Sequence, residues 1–360
     1  MMFLLLIPHL QSQALSVSAN AAVVINGDTL EVLYSKNCDT RLPMASTTKI
    51  MTALLLCESG NLDKEITVTK EMVSVEGSSM GLLPGDTVSL RGLLYGMMLA
   101  SGNDAANSTA IIIGGTVEHF VELMNKRASE MGLKDTHFET PSGLDGENHY
   151  TTARELAIIA SEALKNKDFA AAAAAQYESL YYGNPPYRRT LKNHNRLLKT
   201  YDGLVGVKTG FTKKSGRCLV TAARKDGKFV IAVTLNAPDD WQDHKTLLDY
   251  GLGQLQVVEV SNENTYSVDC ADAFCSGISC KSDKVLLSIT SKDKIYSEIS
   301  LPKFLYLPIK KGEKIGEVKI FDEENQIFME DIVCSETVNT PQTDIFTEFK
   351  NIFLYLLSFI

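Results

Sequence analysis

The chain has 360 residues, with 35 Lys and Arg against 44 Asp and Glu, for a formal charge of −9. That acidic balance, with no basic stripe, excludes a nucleic-acid partner. The length predicts two domains.

In chain order, Met1-Met2-Phe3-Leu4-Leu5-Leu6-Ile7-Pro8 reads as part of a secretory signal with a short apolar run and no positive n-region. Ser18-Ala19-Asn20-Ala21 offers small residues for cleavage, so residues 1–19 are assigned to a signal segment. Residues 41–57 read as a loop entering a buried helix: Pro43 suits the start, and Ile50 to Cys57 is apolar on nearly every side. Ser46 of Ser46-Thr47-Thr48-Lys49 then falls in the first turn, where unpaired N–H groups and the positive dipole end favour a developing negative charge. Lys49, three residues on, shares its face. A serine nucleophile needs a base, and a lysine kept neutral by burial and nearby cations supplies one. The plainer reading is a capping serine beside a solvated lysine, which an apolar helix starting at the lysine weakens.

Leu90 to Ala100 predicts a helix capped by Ser89 and stopped by Ser101-Gly102-Asn103, with another helix from Asp104. Such a corner is a plain turn or a site facing a cleft. In the second case Ser101 carries a proton to the leaving amine and Asn103 positions the substrate backbone. Ala170 to Ala175 reads as a helix segment.

Leu204 to Phe211 predicts a strand that loses its bulky side chains at Lys208-Thr209-Gly210. Lys208 supplies a cation and Thr209 a hydroxyl, a fit for a terminal carboxylate, and Gly210 lets backbone approach a ligand. The N–H groups of Ser46 and Phe211 are the candidates for an oxyanion hole. Strands at 217–223 and 229–235 are joined by the hairpin signal Lys225-Asp226-Gly227-Lys228. Trp241 to Leu255 reads as the closing helix of a catalytic domain spanning 20–256. Beyond it, short alternating segments such as 284–290 and 315–321 predict a small β domain over 257–340, a spacer or docking module.

Of seven cysteines, Cys57 and Cys218 read as core residues, while Cys270, Cys275 and Cys280 cluster where a disulfide can form. Their spacing is a poor match to a zinc site, no paired histidine motif exists, and lone histidines such as His149 and His194 read as structural, so no metal or cofactor is predicted. In the tail, Ile345, Phe349, Ile352, Leu356 and Phe359 share one helical face, and the final apolar run is short of the roughly 20 residues that span a bilayer. Residues 341–360 therefore predict an amphipathic interfacial anchor, with a helix packed on the β domain as the alternative.

Singly the motifs are weak: a Ser-x-x-Lys arises by chance roughly once or twice in a chain this long, and Lys-Thr-Gly in about one chain of ten. In this order, Ser46 to Lys49, Ser101 to Asn103 and Lys208 to Gly210 resemble the trio of penicillin-binding proteins and class A β-lactamases. The resemblance sharpens to the serine-type D-alanyl-D-alanine carboxypeptidases, the low-molecular-mass penicillin-binding proteins of the penicillin-binding protein five kind. Leu42 to Thr52, Leu83 to Val88 with Ala100 to Ala106, Thr140 to Asp145, His149 to Ala153 and Asn193-His194-Asn195 are similar to that family's blocks. Leu307 to Gly316 resembles its C-terminal β domain, and the likeness covers residues 17 to 340.

The resemblance implies an α+β fold, with a β-lactamase/transpeptidase-like catalytic domain before the small β domain. It implies Ser46 as the acylated residue, Lys49 as its base and Ser101 as proton relay, with Asn103, Lys208 and Thr209 holding substrate. The implied substrate is a peptidoglycan stem pentapeptide that loses its terminal D-alanine at the outer face of the bacterial cytoplasmic membrane, with β-lactam antibiotics acylating the same serine. Endopeptidase or transpeptidase action would use the same residues. A class A β-lactamase needs a glutamate closely followed by asparagine between the second and third motifs, a pattern that Glu139, Glu147 and Glu155 do not form. A non-catalytic wall-binding or β-lactam-sensing protein would not need Lys49.

Overall fold

The structure, a computed structural model, describes residues 15–261, 263–271, 277–290 and 295–340. The expected tail anchor and most of the expected signal lie outside the described residues. Two compact units meet in sequence between Gln256 and Val257.

The first unit is built on an antiparallel sheet of five strands, in the order β2 (Val32–Lys36), β1 (Ala21–Asn26), β9 (Lys228–Leu235), β8 (Gly216–Lys225) and β7 (Leu204–Thr212). Both faces of its centre are covered, which is why β1 and β9 are almost continuously apolar. Ala21, Val23 and Ile25 with Ile231, Val233 and Leu235 enter the larger core. The alternate residues Ala22, Val24, Val230 and Ala232 meet Leu247 and Leu248 of helix α8 (Asp240–Gln254). Between β8 and β9, Asp226 and Gly227 both have positive φ, 51° and 76°, as a tight hairpin of this hand requires.

On the other face lies a helical layer: α1 (Lys49–Glu58), the short α2 (Lys70–Val73), α3 (Leu90–Met98), α4 (Asn103–Gly114), α5 (Val117–Glu130), α6 (Ala153–Lys165) and α7 (Lys167–Ala174). Ser89 caps α3 by accepting the Gly92 N–H at 3.0 Å. A smaller sheet runs in the order β3 (Glu65–Thr67), β4 (Thr87–Ser89), β5 (Tyr177–Gly183) and β6 (Pro186–Lys192).

One boundary differs from the sequence reading. Val17 and Ala19, assigned to a signal segment over 1–19, are buried against α8, and the Ser18 hydroxyl donates to Asp243 at 2.7 Å. Small residues that suit a cleavage site also suit close packing, and here they pack. The folded unit therefore extends at least to Leu15.

Among its described residues the second unit is all β. A six-stranded sheet has the order β14 (Ile295–Ser300), β16 (Lys314–Asp322), β17 (Asn325–Cys334), β12 (Ile278–Ser282), β11 (Asn264–Cys270) and β15 (Phe304–Leu305), and β10 (Gln256–Ser261) pairs with β13 (Val285–Ile289). Alternation supplies the core: Val285, Leu287 and Ile289 from β13 and Val318 and Ile320 from β16 are buried together.

Candidate active site

Ser46 sits in a single 3-10 turn, Ala45–Thr48, that runs directly into α1. The turn is held from below. The Thr48 hydroxyl donates to the Ala45 carbonyl at 2.8 Å, and His149 Nε2 lies 2.8 Å from the same hydroxyl. His149 Nδ1 accepts the Glu139 N–H at 2.9 Å, so the ring is a neutral Nε2–H tautomer donating to Thr48. Burial holds its pKa down to about 4, and its role is structural. The segment Thr140 to Gly143 closes against this turn: a Cβ on Gly143, at φ +86°, would stand 2.0 Å from the Ala45 oxygen.

Lys49 is fully buried, with its amine 3.0 Å from Ser46 Oγ, 2.7 Å from Asn103 Oδ1 and 2.6 Å from the Ser142 carbonyl. A neutral amine has two N–H bonds and one lone pair. Two of these neighbours can only accept, so they take the two protons and the lone pair is left for the serine hydroxyl. Burial drives the Lys49 pKa well below that of a free lysine; the Lys208 charge adds to this and Asp104 pulls the other way.

Ser101 has a positive φ of 57° at the end of the loop after α3, and α4 begins at Asn103, one residue earlier than the sequence suggests. Lys208 Nζ donates to Ser101 Oγ at 3.0 Å and to the Thr209 carbonyl at 2.9 Å, and burial lowers its pKa to about 7. Asn103 Nδ2 donates to the Glu76 carbonyl at 2.6 Å, so this amide ties the lysine to the loop before β4. That loop is clamped by Asp104, which accepts Ser79 Oγ at 2.6 Å and the N–H groups of Met80, Gly81 and Leu82 at 3.0 to 3.1 Å.

β7 is the sheet edge next to Ser46. A Cβ on Gly210 would lie 3.1 Å from the backbone nitrogens of both Ser46 and Thr47, so a side chain there would press on the turn. A cleft of about 510 Å³ opens here, lined by Ser46, Ser101, Thr209, Gly210 and Phe211. Lys49, Asn103 and Lys208 stand behind that lining. The sequence reading did not anticipate the rest of the wall, which includes Ser78, Lys192, Asn193, Arg196, Arg217 and Trp241. His194, read as structural, lines the cleft as well. Arg217 faces Phe211 across the β7–β8 ladder and pairs with Asp240 at 2.9 Å. Among the described residues no cluster of His, Cys, Asp and Glu is placed to hold a metal ion.

A serine beside a neutral lysine, with a second hydroxyl polarised by a second lysine, can form an acyl ester and release it. That is the chemistry of an active-serine hydrolase that uses lysine as base. Comparison with known proteins agrees. The family model described as D-alanyl-D-alanine carboxypeptidase matches residues 9–239, and the C-terminal domain of penicillin-binding protein 5 matches 278–340. The chain belongs to the D-alanyl-D-alanine carboxypeptidase family.

It is 33% identical over 342 residues to D-alanyl-D-alanine carboxypeptidase DacF of Bacillus subtilis (strain 168), covering 91% of this chain and 87% of that one. It is 37% identical over 255 residues to a D-alanyl-D-alanine carboxypeptidase of Streptomyces sp. (strain K15), covering 66% of this chain and 88% of the relative. Among solved structures, the Streptomyces K15 DD-transpeptidase superposes with a TM-score of 0.64 at 35% identity, over 66% of this chain and 98% of that one. The carboxypeptidase DacD of Francisella tularensis, with a TM-score of 0.62 at 26% identity, covers 90% of this chain and 94% of its own.

Proposed function

We propose that the protein removes the terminal D-alanine from peptidoglycan stem peptides ending in D-Ala-D-Ala, through an acyl-enzyme on Ser46. The observation that carries this reading is the three-way contact of the Lys49 amine, which leaves its lone pair for the Ser46 hydroxyl. In this scheme Ser46 Oγ attacks the carbonyl between the two D-alanines as its proton passes to Lys49. The Ser46 and Phe211 N–H groups meet the oxyanion. A protonated Lys49 close to Lys208 is electrostatically disfavoured, so it readily returns the proton. Ser101, held by Lys208, hands a proton to the departing amine, and water then releases the shortened peptide.

The substrate carboxylate would meet Thr209 at the cleft wall, with Lys208 behind it. Binding an anion there would raise the Lys208 pKa and favour its charged form. Asn103 serves first to orient Lys49 and offers its remaining N–H to the substrate backbone. The same serine would take β-lactam antibiotics, whose acyl carbonyl mimics that of D-Ala-D-Ala. Family membership supports a site of action outside the cytoplasmic membrane, and the apolar stripe in 341–360 supports peripheral attachment there.

The test is paired. The protein should release D-alanine from a small peptide ending in D-Ala-D-Ala, and a fluorescent penicillin should map to Ser46. A Ser46→Ala protein that still labels fully, or a label found on Ser101, would reject the assignment.

A further inference from the structure

Cys280 and Cys334 are directly opposite each other where β12 pairs antiparallel with β17. The kind of opposition can be read from the backbone. Ser335 N–H donates to the Ser279 carbonyl at 2.9 Å, so the neighbouring pair 279/335 is bonded across the two strands. Cys334 itself directs its N–H to Glu313 at 2.9 Å and its carbonyl to Gly312 at 2.8 Å, both away from β12. Cys280 and Cys334 are therefore a non-hydrogen-bonded pair, the kind with the closer side chains and Cα atoms about 4.5 Å apart. That spacing falls within the roughly 4.4–6.8 Å that a disulfide spans. Both side chains are buried, 0% and 1% exposed, and both thiols are free in the structure; Cys334 Sγ lies 3.1 Å from the Glu336 carbonyl and 3.7 Å from the Ser279 carbonyl of β12.

We propose that Cys280 and Cys334 are joined by a cross-strand disulfide in the mature protein, a covalent staple of the β unit. The sequence alone points instead to the cluster Cys270, Cys275 and Cys280; Cys275 lies outside the described residues, and the strand register picks the distant Cys334. Burial and the neighbouring thiol raise the Cys280 pKa to about 11, so few thiolates exist once the strands have closed, and the bond forms during folding. One thiolate attacks a small-molecule disulfide such as oxidised glutathione, releasing one glutathione and leaving a mixed disulfide. The other protein thiolate displaces the second glutathione. Two electrons pass to the glutathione sulfurs, and the two thiol protons end on the released glutathiones. The presence of such an oxidant at the site of action rests on the extracytoplasmic reading above.

The experiment supplies its own oxidant and so does not depend on that reading. The full chain is refolded in a reduced/oxidised glutathione buffer, digested without reduction and mapped by mass spectrometry. A linked Cys280–Cys334 peptide pair that separates on reduction is the expected result. Because the bond closes a loop of more than fifty residues, the reduced protein's β unit should melt lower by on the order of 10 °C. The paired variant Cys280→Ala/Cys334→Ala should melt alike with and without reductant. All three forms should keep wild-type D-alanine release, which separates this proposal from the catalytic one. Free Cys280 and Cys334 after oxidative refolding, or a bond to Cys270 or Cys275 instead, would overturn it.

Discussion

Lys208→Met should give a protein that is more stable at neutral pH and catalytically dead. Moving an ammonium from a pKa of 10.5 to about 7 by burial stands for on the order of 5 kcal/mol against the charged form. At pH 7 the fold carries roughly 4 kcal/mol of that, since about half the population has shed the proton. Methionine has a similar length and no charge. It forfeits the hydrogen bonds to Ser101 Oγ and the Thr209 carbonyl, together about 2 kcal/mol. The net gain is about 2 kcal/mol, a Tm higher by roughly 4–8 °C for a unit of this size. The sign against pH is diagnostic. Between pH 7 and 10 the unfolded chain holds the Lys208 proton and the folded chain does not, so wild-type stability rises with pH by about 1.4 kcal/mol per unit from this residue. The variant lacks that slope, and the gap should close at roughly pH 9 and then reverse. Lys49 adds in the same direction, because removing the Lys208 charge relieves part of the depression of its own pKa. Differential scanning calorimetry at several pH values decides: a variant less stable throughout, or a gap independent of pH, would refute the buried-charge argument.

Gly143→Ala should slow penicillin acylation by at least about tenfold and lower stability by roughly 1–3 kcal/mol, because a Cβ there meets the Ala45 oxygen and forces the nucleophile turn to move; unchanged acylation kinetics would show that the turn is not held by this contact. In pH profiles, kcat/KM for a D-Ala-D-Ala peptide should fall above about pH 7, as free-enzyme Lys208 loses its charge, and on the acid side as Lys49 gains one. The alkaline limb of kcat should lie at higher pH, since bound carboxylate raises the Lys208 pKa, and coincident limbs would argue against that contact. A chain truncated after Thr343 should keep D-alanine release and lose flotation with liposomes, largely independent of salt, because Lys350 is the only cation in 345–360 and Glu348 offsets it; full-length protein that does not float rejects the anchor.

What the sequence disclosed was local. Ser46 and Lys49 share a helical face because they are three apart, the cap at Ser89 is written in its neighbours, and Asp226-Gly227 announces its own turn. What it hid came from afar or from the main chain. The Ser142 and Glu76 carbonyls that complete the lysine site carry no residue-type signal, and neither does the approach of the loop that Asp104 clamps. The charge of Lys208 was visible while its burial was not, so the sequence assigned it to substrate before Ser101. Register decides which cysteines face each other, and spacing along the chain says nothing about register.

The nucleophile's surroundings are assembled from places far apart in the chain: Lys49 reaches Asn103 over 54 residues and Ser142 over 93, and Lys208 reaches Ser101 over 107. No fragment holds this set of contacts, so on the proposed mechanism Ser46 would become reactive only when these distant segments have come together. Covalent capture by a fluorescent penicillin is therefore a folding probe as well as an activity stain. Labelling during refolding should appear late, after the helices have formed. In a culture, the fraction of chains that label would count those that have completed their long-range contacts.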